Sequence, residues 1–396
     1  MKLKITLYSV CLLMLLAACQ QDGPTPEPSV GSRTVLVYMI AQNSLAPLAS
    51  ADIEEMKEGM RQVDATSGNL LVYIDDYSAP RLIRLGKDKK GKVVEETIEN
   101  YPEQNSADAN VMKKVISTAF NQYKAEKYGM VFWSHGEGWI PSPAKTRWFG
   151  QDGKDGNNYM DIADLHAALQ VAPDLDFLFF DACFMEAVEV AYALRDCGSY
   201  LISSPTEIPG PGAPYQTVVP AMFSAENAAL KIASCYYDYY QSRYNDGIGM
   251  SNEDWTGGVS VGVAKMSELE NLAVATSKVL PRYITGKQNF DLSGVMCYDR
   301  RADKQYYYDL DRFIYQITAG NGDYDSWREA FDKVMVYWKS TPRNYSAYAG
   351  MFTMNQDAKG LSTYIPRMSA PSLNTSYQQT EWYKVSGWAD TGWYKN

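Results

Sequence analysis

Cys183 and His135 are the residues whose types and placement could carry covalent chemistry. Cys183 follows residues 175–180, a short and almost continuous apolar run of the kind a strand shows when both faces of a parallel sheet are covered. From Phe184 the period becomes helical. Phe184, Ala187, Val188, Ala191 and Leu194 share one face, with Glu186, Glu189 and Arg195 elsewhere on the cylinder. Ligands of open α/β sheets bind at the carboxyl ends of strands, and a thiol at a helix N-terminus is favoured as thiolate. His135 ends a second apolar run, residues 128–134, and is followed at once by Gly136. An imidazole beside a thiol suits acyl transfer, with the sulfur as nucleophile and the ring as base and acid. The other histidine, His166, lies in an ordinary amphipathic stretch, residues 161–169, and reads as a surface residue. A cysteine after a buried strand is often inert packing, and Ser-His-Gly is often a turn. Two such residues, each closing its own strand, favour the chemical reading.

The elements that must position this pair alternate. Strands are expected at residues 34–41, 69–75, 128–134, 175–180, 199–204 and 257–264, with a hairpin over 81–99. Helices are expected at 49–63, from a Ser106 cap through Ala119, at 161–169, from 184, at 217–244, 267–280, 309–319 and 326–339. Alternating strands and helices predict an α/β fold with a mainly parallel sheet flanked by helices. Residues 136–158 read as a long Pro/Gly-rich loop, and residues 205–215, with four prolines, as a loop walling the substrate cleft. The domain is set at residues 33–288, with a smaller C-terminal subdomain, 289–396, packed on the sheet.

A formal charge of −10 with no basic stretch argues against nucleic acid as a partner, and 46% hydrophobic residues permit a large core. Residues 1–18 have a basic start and a short apolar run, as an export signal does. They lead into Leu16-Ala-Ala-Cys19, which resembles the lipobox of bacterial lipoproteins and implies lipidation of Cys19. Residues 19–32 then form a flexible tether. The expectation is an exported protein, lipid-anchored to the bacterial cell envelope at the outer membrane. Cys183, Cys197, Cys235 and Cys297 remain beyond the signal, without a C-x-x-C metal pattern, and no disulfide is expected among them.

Trp133-Ser-His-Gly136, Phe180-Asp-Ala-Cys183 and Met185-Glu-Ala-Val-Glu-Val-Ala-Tyr-Ala-Leu-Arg195 together resemble the clostripain family of cysteine peptidases, in the caspase-like clan. Ser203-Ser-Pro-Thr-Glu-Ile-Pro-Gly-Pro-Gly-Ala-Pro-Tyr215, Tyr308-Asp-Leu-Asp-Arg-Phe313 and Gly360-Leu-Ser-Thr-Tyr-Ile-Pro366 extend the resemblance over most of the chain. It implies a caspase-like fold and a His135–Cys183 dyad, with the oxyanion held by the backbone of Gly136 and Cys183. It also makes Asp181 the floor of a pocket for Arg or Lys, although a strand-end carboxylate can equally cap the next helix. Glu207, or Thr206 beside it, would supply a second polar wall. The Pro-Gly-Pro stretch after them departs from the more acidic loop of the family and leaves the choice between Arg and Lys open. Lys145, Arg147 and Lys154 become candidate sites for an activating cut. The implied partners are protein or peptide substrates with basic residues, and the membrane through the anchor. No cofactor is expected. Calcium dependence comes only from the resemblance, since Asp152, Asp155 and Asn157 lack EF-hand spacing. Two further readings are a non-catalytic surface lipoprotein binding glycans or proteins, on nine tryptophans and thirty tyrosines, and a caspase-fold transpeptidase.

Overall fold

The computed structural model describes residues 32–64, 68–141, 147–153, 158–302 and 305–394. The described residues begin with β1 (Arg33–Ile40), α1 (Ala46–Met60), β2 (Gly68–Asp75) and the hairpin β3 (Arg81–Lys87) and β4 (Val93–Asn100). Next come α2 (Ala109–Gln122), β5 (Lys127–Trp133), β6 (Gly136–Pro141), β7 (Arg147–Asp152) and β8 (Asn158–Asp161). The middle holds α3 (Ile162–Leu169), β9 (Leu175–Asp181), α4 (Val188–Ala193) and β10 (Tyr200–Ser203). Then follow α5 (Tyr215–Met222), α6 (Ala228–Arg243), β11 (Ser260–Lys265) and α7 (Leu269–Tyr283). The C-terminal part adds β12 (Tyr308–Asp309), α8 (Leu310–Thr318), α9 (Gly322–Val334), β13 (Met335–Ser340) and the hairpin β14 (Arg343–Ser346) and β15 (Gly350–Thr353).

One sheet of nine strands runs in the order β13-β11-β10-β9-β5-β1-β2-β3-β4. Its middle, β10-β9-β5-β1-β2, is parallel throughout, and antiparallel strands finish both sides. The α/β expectation therefore holds. Alternate residues of β1 feed two cores: Leu36, Tyr38 and Ile40 on one face, Val35, Val37 and Met39 on the other. Burial of both faces is why these strands are apolar without alternation. The register of the two neighbouring strands β5 and β9 matters most for chemistry. Trp133 lies beside Asp181, and parallel neighbours are about 4.8 Å apart. Two residues further on, His135 and Cys183 leave the same rim of the sheet.

Several local expectations are corrected. The helix foreseen from Phe184 starts only at Val188, because Phe184 N–H donates to Thr206 O (3.0 Å) and Glu186 N–H to Ser204 O (3.1 Å). These bonds tie residues 184–186 to the continuation of β10 and keep them out of a helix, with Phe184 in the turn at a positive φ of 61°. Residues 136–158 are not a featureless loop: β6, β7 and β8 form a small antiparallel sheet. The cap of α2 is Asp108, which accepts from Asn110 and Val111 N–H, whereas Ser106 is buried against Tyr73 and Asp75. The helical stretch 217–244 breaks into α5 and α6 at Asn227, which adopts a left-handed conformation. The helix expected over 326–339 stops at Val334, and β13 becomes an edge strand of the main sheet. The C-terminal part thus contributes to the sheet as well as covering it. Cys19 and the other residues up to 31, expected to be export signal and tether, fall outside the described residues. Ser32, expected to end the tether, is instead buried and its carbonyl accepts from Lys127 N–H at 3.2 Å. Among the described residues no helix is long and apolar enough to cross a membrane.

Candidate active site

Beyond the carboxyl ends of β5 and β9 lies a cavity of about 410 Å³ whose lining includes His135, Gly136, Asp181, Cys183 and Glu207. Trp133, Trp148, Gln151 and Tyr348 complete much of its wall.

His135 is held by its neighbours before its ring is considered. Ser134 is buried, its hydroxyl donating to Ile40 O (2.8 Å) and accepting from Gln151 N–H (3.1 Å). The His135 carbonyl accepts from Gly150 N–H at 2.9 Å. The small sheet therefore fixes the chain at the point where the imidazole emerges. The ring pairs through Nε2 with the hydroxyl of Ser44 at 2.8 Å, which leaves Nδ1 as the nitrogen open to other partners. Burial holds its pKa below the usual histidine range, so the ring is neutral at neutral pH.

Cys183 is half-buried in the turn between β9 and α4. It is five residues before the helix starts, and a helix dipole fades within the first turn. The expectation of a thiolate stabilised by the helix N-terminus is therefore overturned. Burial pushes the thiol up to about 12; the Ile208 N–H, 3.5 Å from Sγ, opposes the rise, and the negative charges of Glu207, Glu137 and Asp181 add to it. At rest the site pairs a neutral thiol with a neutral imidazole. Gly136 packs on the same turn: a Cβ there would stand 2.8 Å from Cys183 O and 3.1 Å from the Ala182 Cβ. Glycine is required for that approach.

Asp181 is 3% exposed. Its Oδ2 accepts from Ala213 N–H (3.0 Å) and from the Tyr215 hydroxyl (2.9 Å), while Oδ1 has no hydrogen-bond partner. Gly212, at φ 71°, presses against the carboxylate so closely that a Cβ would be 2.9 Å from Oδ2. Burial raises this acid to about 6, the two donors opposing the rise. Glu207 lines the cavity and accepts from Ala347 N–H at 3.0 Å. Thr206 does not join it: fully buried, its hydroxyl pairs with Ser260 (2.8 Å) and Ser204 (3.1 Å). Arg147 opens β7, whereas Lys145 and Lys154 lie outside the described residues, as do Asp155 and Asn157. Asp152 is buried and accepts from Ser106 N–H at 2.7 Å. His166 sits on α3, away from the cavity, and pairs with Asp196.

Sequence reasoning missed several residues here. Ser44 follows β1 with no motif to mark it. Asp52, on α1, accepts from the Trp133 indole N–H at 2.6 Å and so fixes one wall of the cavity. Arg301 ties Glu137 (2.6 Å) to Asp299 (2.8 Å) beside the cavity mouth, where Tyr348 is 62% exposed. All of these come from distant parts of the chain, and only the fold assembles them.

A thiol and an imidazole delivered by adjacent parallel strands to one cavity, with a buried carboxylate in its wall, define the fold and site of a caspase-like cysteine peptidase. The comparisons with known proteins agree. The model of the clostripain family matches residues 37–393, and the chain belongs to that family. A secreted C11 cysteine protease from Bacteroides thetaiotaomicron, solved with an irreversible peptide inhibitor, is 47% identical, with a TM-score of 0.85. That match covers 91% of this chain and 100% of the other. A B. fragilis cysteine protease chain is 98% identical over 63% of this chain and 100% of its own, with a TM-score of 0.61. Clostripain of Hathewaya histolytica is 28% identical over 217 residues, which is 47% of this chain and 41% of clostripain. The protein is a cysteine peptidase, and the non-catalytic reading is set aside.

Proposed function

We propose that this peptidase is an exported, lipid-anchored endopeptidase that cleaves after Arg or Lys, with Cys183 as nucleophile and His135 as its acid and base. The observation that carries the specificity is Asp181: a buried carboxylate with one oxygen unpartnered, in the wall of the cavity that also receives the thiol and the imidazole. A guanidinium or ammonium would complete its hydrogen bonding with a charge-assisted pair, and a neutral side chain would leave it unsatisfied.

The chemistry follows from the resting protonation states. A neutral thiol raised this far attacks only as its proton leaves, so proton transfer to the imidazole accompanies attack on the substrate carbonyl. The C–O π pair moves to oxygen, and the backbone N–H groups of Gly136 and Cys183 are the donors suited to receive it. The imidazolium returns its proton to the departing amine, leaving a thioester. Water, deprotonated by the same ring, then releases the acid and restores the thiol. No step uses a cofactor. A chelator should leave the rate unchanged, and a loss restored by calcium would require a metal-dependent form of the site.

The decisive experiment uses protein lacking residues 1–32 with fluorogenic peptides ending in Arg, Lys or a neutral residue. Basic peptides should be cleaved and neutral ones spared. Full activity in Cys183→Ala would sink the assignment. Lys145, Arg147 and Lys154 remain the proposed activating cut points; intact mass, with and without Cys183→Ala, reads which bond is lost. Cys19→Ala should move the full-length protein from the membrane to the soluble fraction of the envelope.

A further inference from the structure

The rim of the sheet opposite the cavity carries a second constellation. There α3 ends, α4 turns into β10, and three different ligand types meet: His166 Nε2, Asp196 Oδ1 and Cys197 Sγ, all within 4.8 Å of one another. The imidazole nitrogen is 2.8 Å from the carboxylate oxygen, and the sulfur is 3.7 Å from that same oxygen. Gln170, one turn beyond His166, brings its amide nitrogen to 3.2 Å from the ring nitrogen and 3.7 Å from the sulfur, so a half-turn of the amide presents its oxygen instead. Four side chains from two segments thus point their heteroatoms at one small volume.

We propose that His166, Asp196 and Cys197 bind a divalent zinc-like cation, with the Gln170 amide oxygen or a water as fourth ligand. The donor set is one nitrogen, one oxygen and one sulfur, the mixture zinc accepts. Bond lengths of about 2.0–2.3 Å to such ligands place tetrahedral neighbours about 3.2–3.8 Å apart. The sulfur–oxygen separation already fits, and the imidazole–carboxylate pair needs to open by only a few tenths of an ångström. Access and anchoring are divided suitably. Asp196 is exposed and His166 half-exposed, so an ion can enter, while Cys197 is 8% exposed and shielded from competing chemistry. Binding moves two protons: the Cys197 S–H becomes a metal thiolate and its H⁺ leaves to solvent, while the Nε2 proton that His166 gives to Asp196 shifts to Nδ1 through solvent, so that the Nε2 lone pair is free for the ion.

The consequence is a clamp. The ion would join the end of α3 to the connection that leads into β10. The site stands one strand length from Cys183, about 20 Å for the seven residues of β9. It is therefore separate from the peptidase chemistry and can be tested without it.

The test uses the full mature chain carrying Cys183→Ala, so that the catalytic thiol cannot bind metal. Titration with Co²⁺ should give one saturable equivalent with a near-ultraviolet thiolate-to-cobalt charge-transfer band. That band should vanish in Cys197→Ser and in His166→Ala, and persist in Cys235→Ser. Zn²⁺ should displace the cobalt and raise the melting temperature, a shift lost in Asp196→Asn. His166→Ala and Asp196→Asn change half-exposed and exposed groups, so they keep the test open if Cys197→Ser folds poorly. Absence of stoichiometric binding, or a band that survives both His166→Ala and Cys197→Ser, would overturn the proposal.

Discussion

In the proposed reading, Asp181 ties specificity to pH. Its carboxyl is raised to about 6, so below that value the free enzyme presents a neutral acid and above it an anion. Efficiency toward Arg and Lys peptides should therefore climb as pH rises through about 6, a limb that Asp181→Asn removes while lowering kcat/KM by about a hundredfold or more. A pH series of kcat/KM for both forms checks this, and an unchanged limb in the variant would assign it to another group. Ser44 is a positioning residue by the same geometry. Loss of one hydrogen bond costs about 1 kcal/mol. Ser44→Ala should accordingly lower kcat by about fivefold to tenfold with KM nearly unchanged, and Ser44→Thr should restore most of the rate. His135 and Cys183 were legible because each closes a buried strand, a pattern written in neighbouring residues. Ser44 and the Asp52–Trp133 bond were not, since their partners lie tens of residues away and neither type announces a role.

At the level of elements, the Cys183 turn is the part that pattern reading placed wrongly. Phe184, Ala187, Val188, Ala191 and Leu194 repeat with helical spacing, yet hydrogen bonds from Phe184 N–H to Thr206 and from Glu186 N–H to Ser204 keep residues 184–186 out of a helix. Glu186 and Glu189 fall off the apolar face of that expected helix, which would leave them away from the core. Instead, both are buried, Glu186 against Ser203 and Glu189 accepting from Thr363 Oγ1 and Tyr364 N–H at 2.9 Å each. No local period reveals a covering strand that arrives some 175 residues later. Burial raises Glu186 to about 8, against the hydrogen bond from Ser203. The sign follows. From about pH 5 to 8 the unfolded chain has released this proton and the folded one retains it, so stability falls as pH rises and levels off above about 8. Glu186→Gln should flatten that part of the melting-temperature profile; an unchanged slope would place its origin elsewhere. Gly136→Ala is expected to leave the protein folded but cost about a hundredfold in kcat. The added methyl meets the Cys183 carbonyl and shifts the donors of both residues.

For the whole molecule, the fold class was readable from alternating strands and helices, and the C-terminal third only in part. The helix expected over 309–319 stands as α8 and the next begins as α9, but β13 was hidden because its residues continue the spacing of α9. That strand pairs with β11, and Trp327, Trp382 and Trp388 from the same third are buried in the main core. A chain ended at residue 288 should therefore fail to fold, recovered as aggregate without a cooperative melting transition. A soluble, active fragment of that length would show the third to be dispensable.

The seam between β5 and β9 has a last implication. Every strand of the main sheet on the β5 side, through to β4, precedes residue 142, and every strand on the β9 side, through to β13, follows residue 147. Scission anywhere between those residues would hand the imidazole to one polypeptide and the sulfur to the other, each owning half of a continuous ladder. Two bands on a denaturing gel would then travel as a single particle in native buffer. Halves produced separately would have to find each other before either could cut anything.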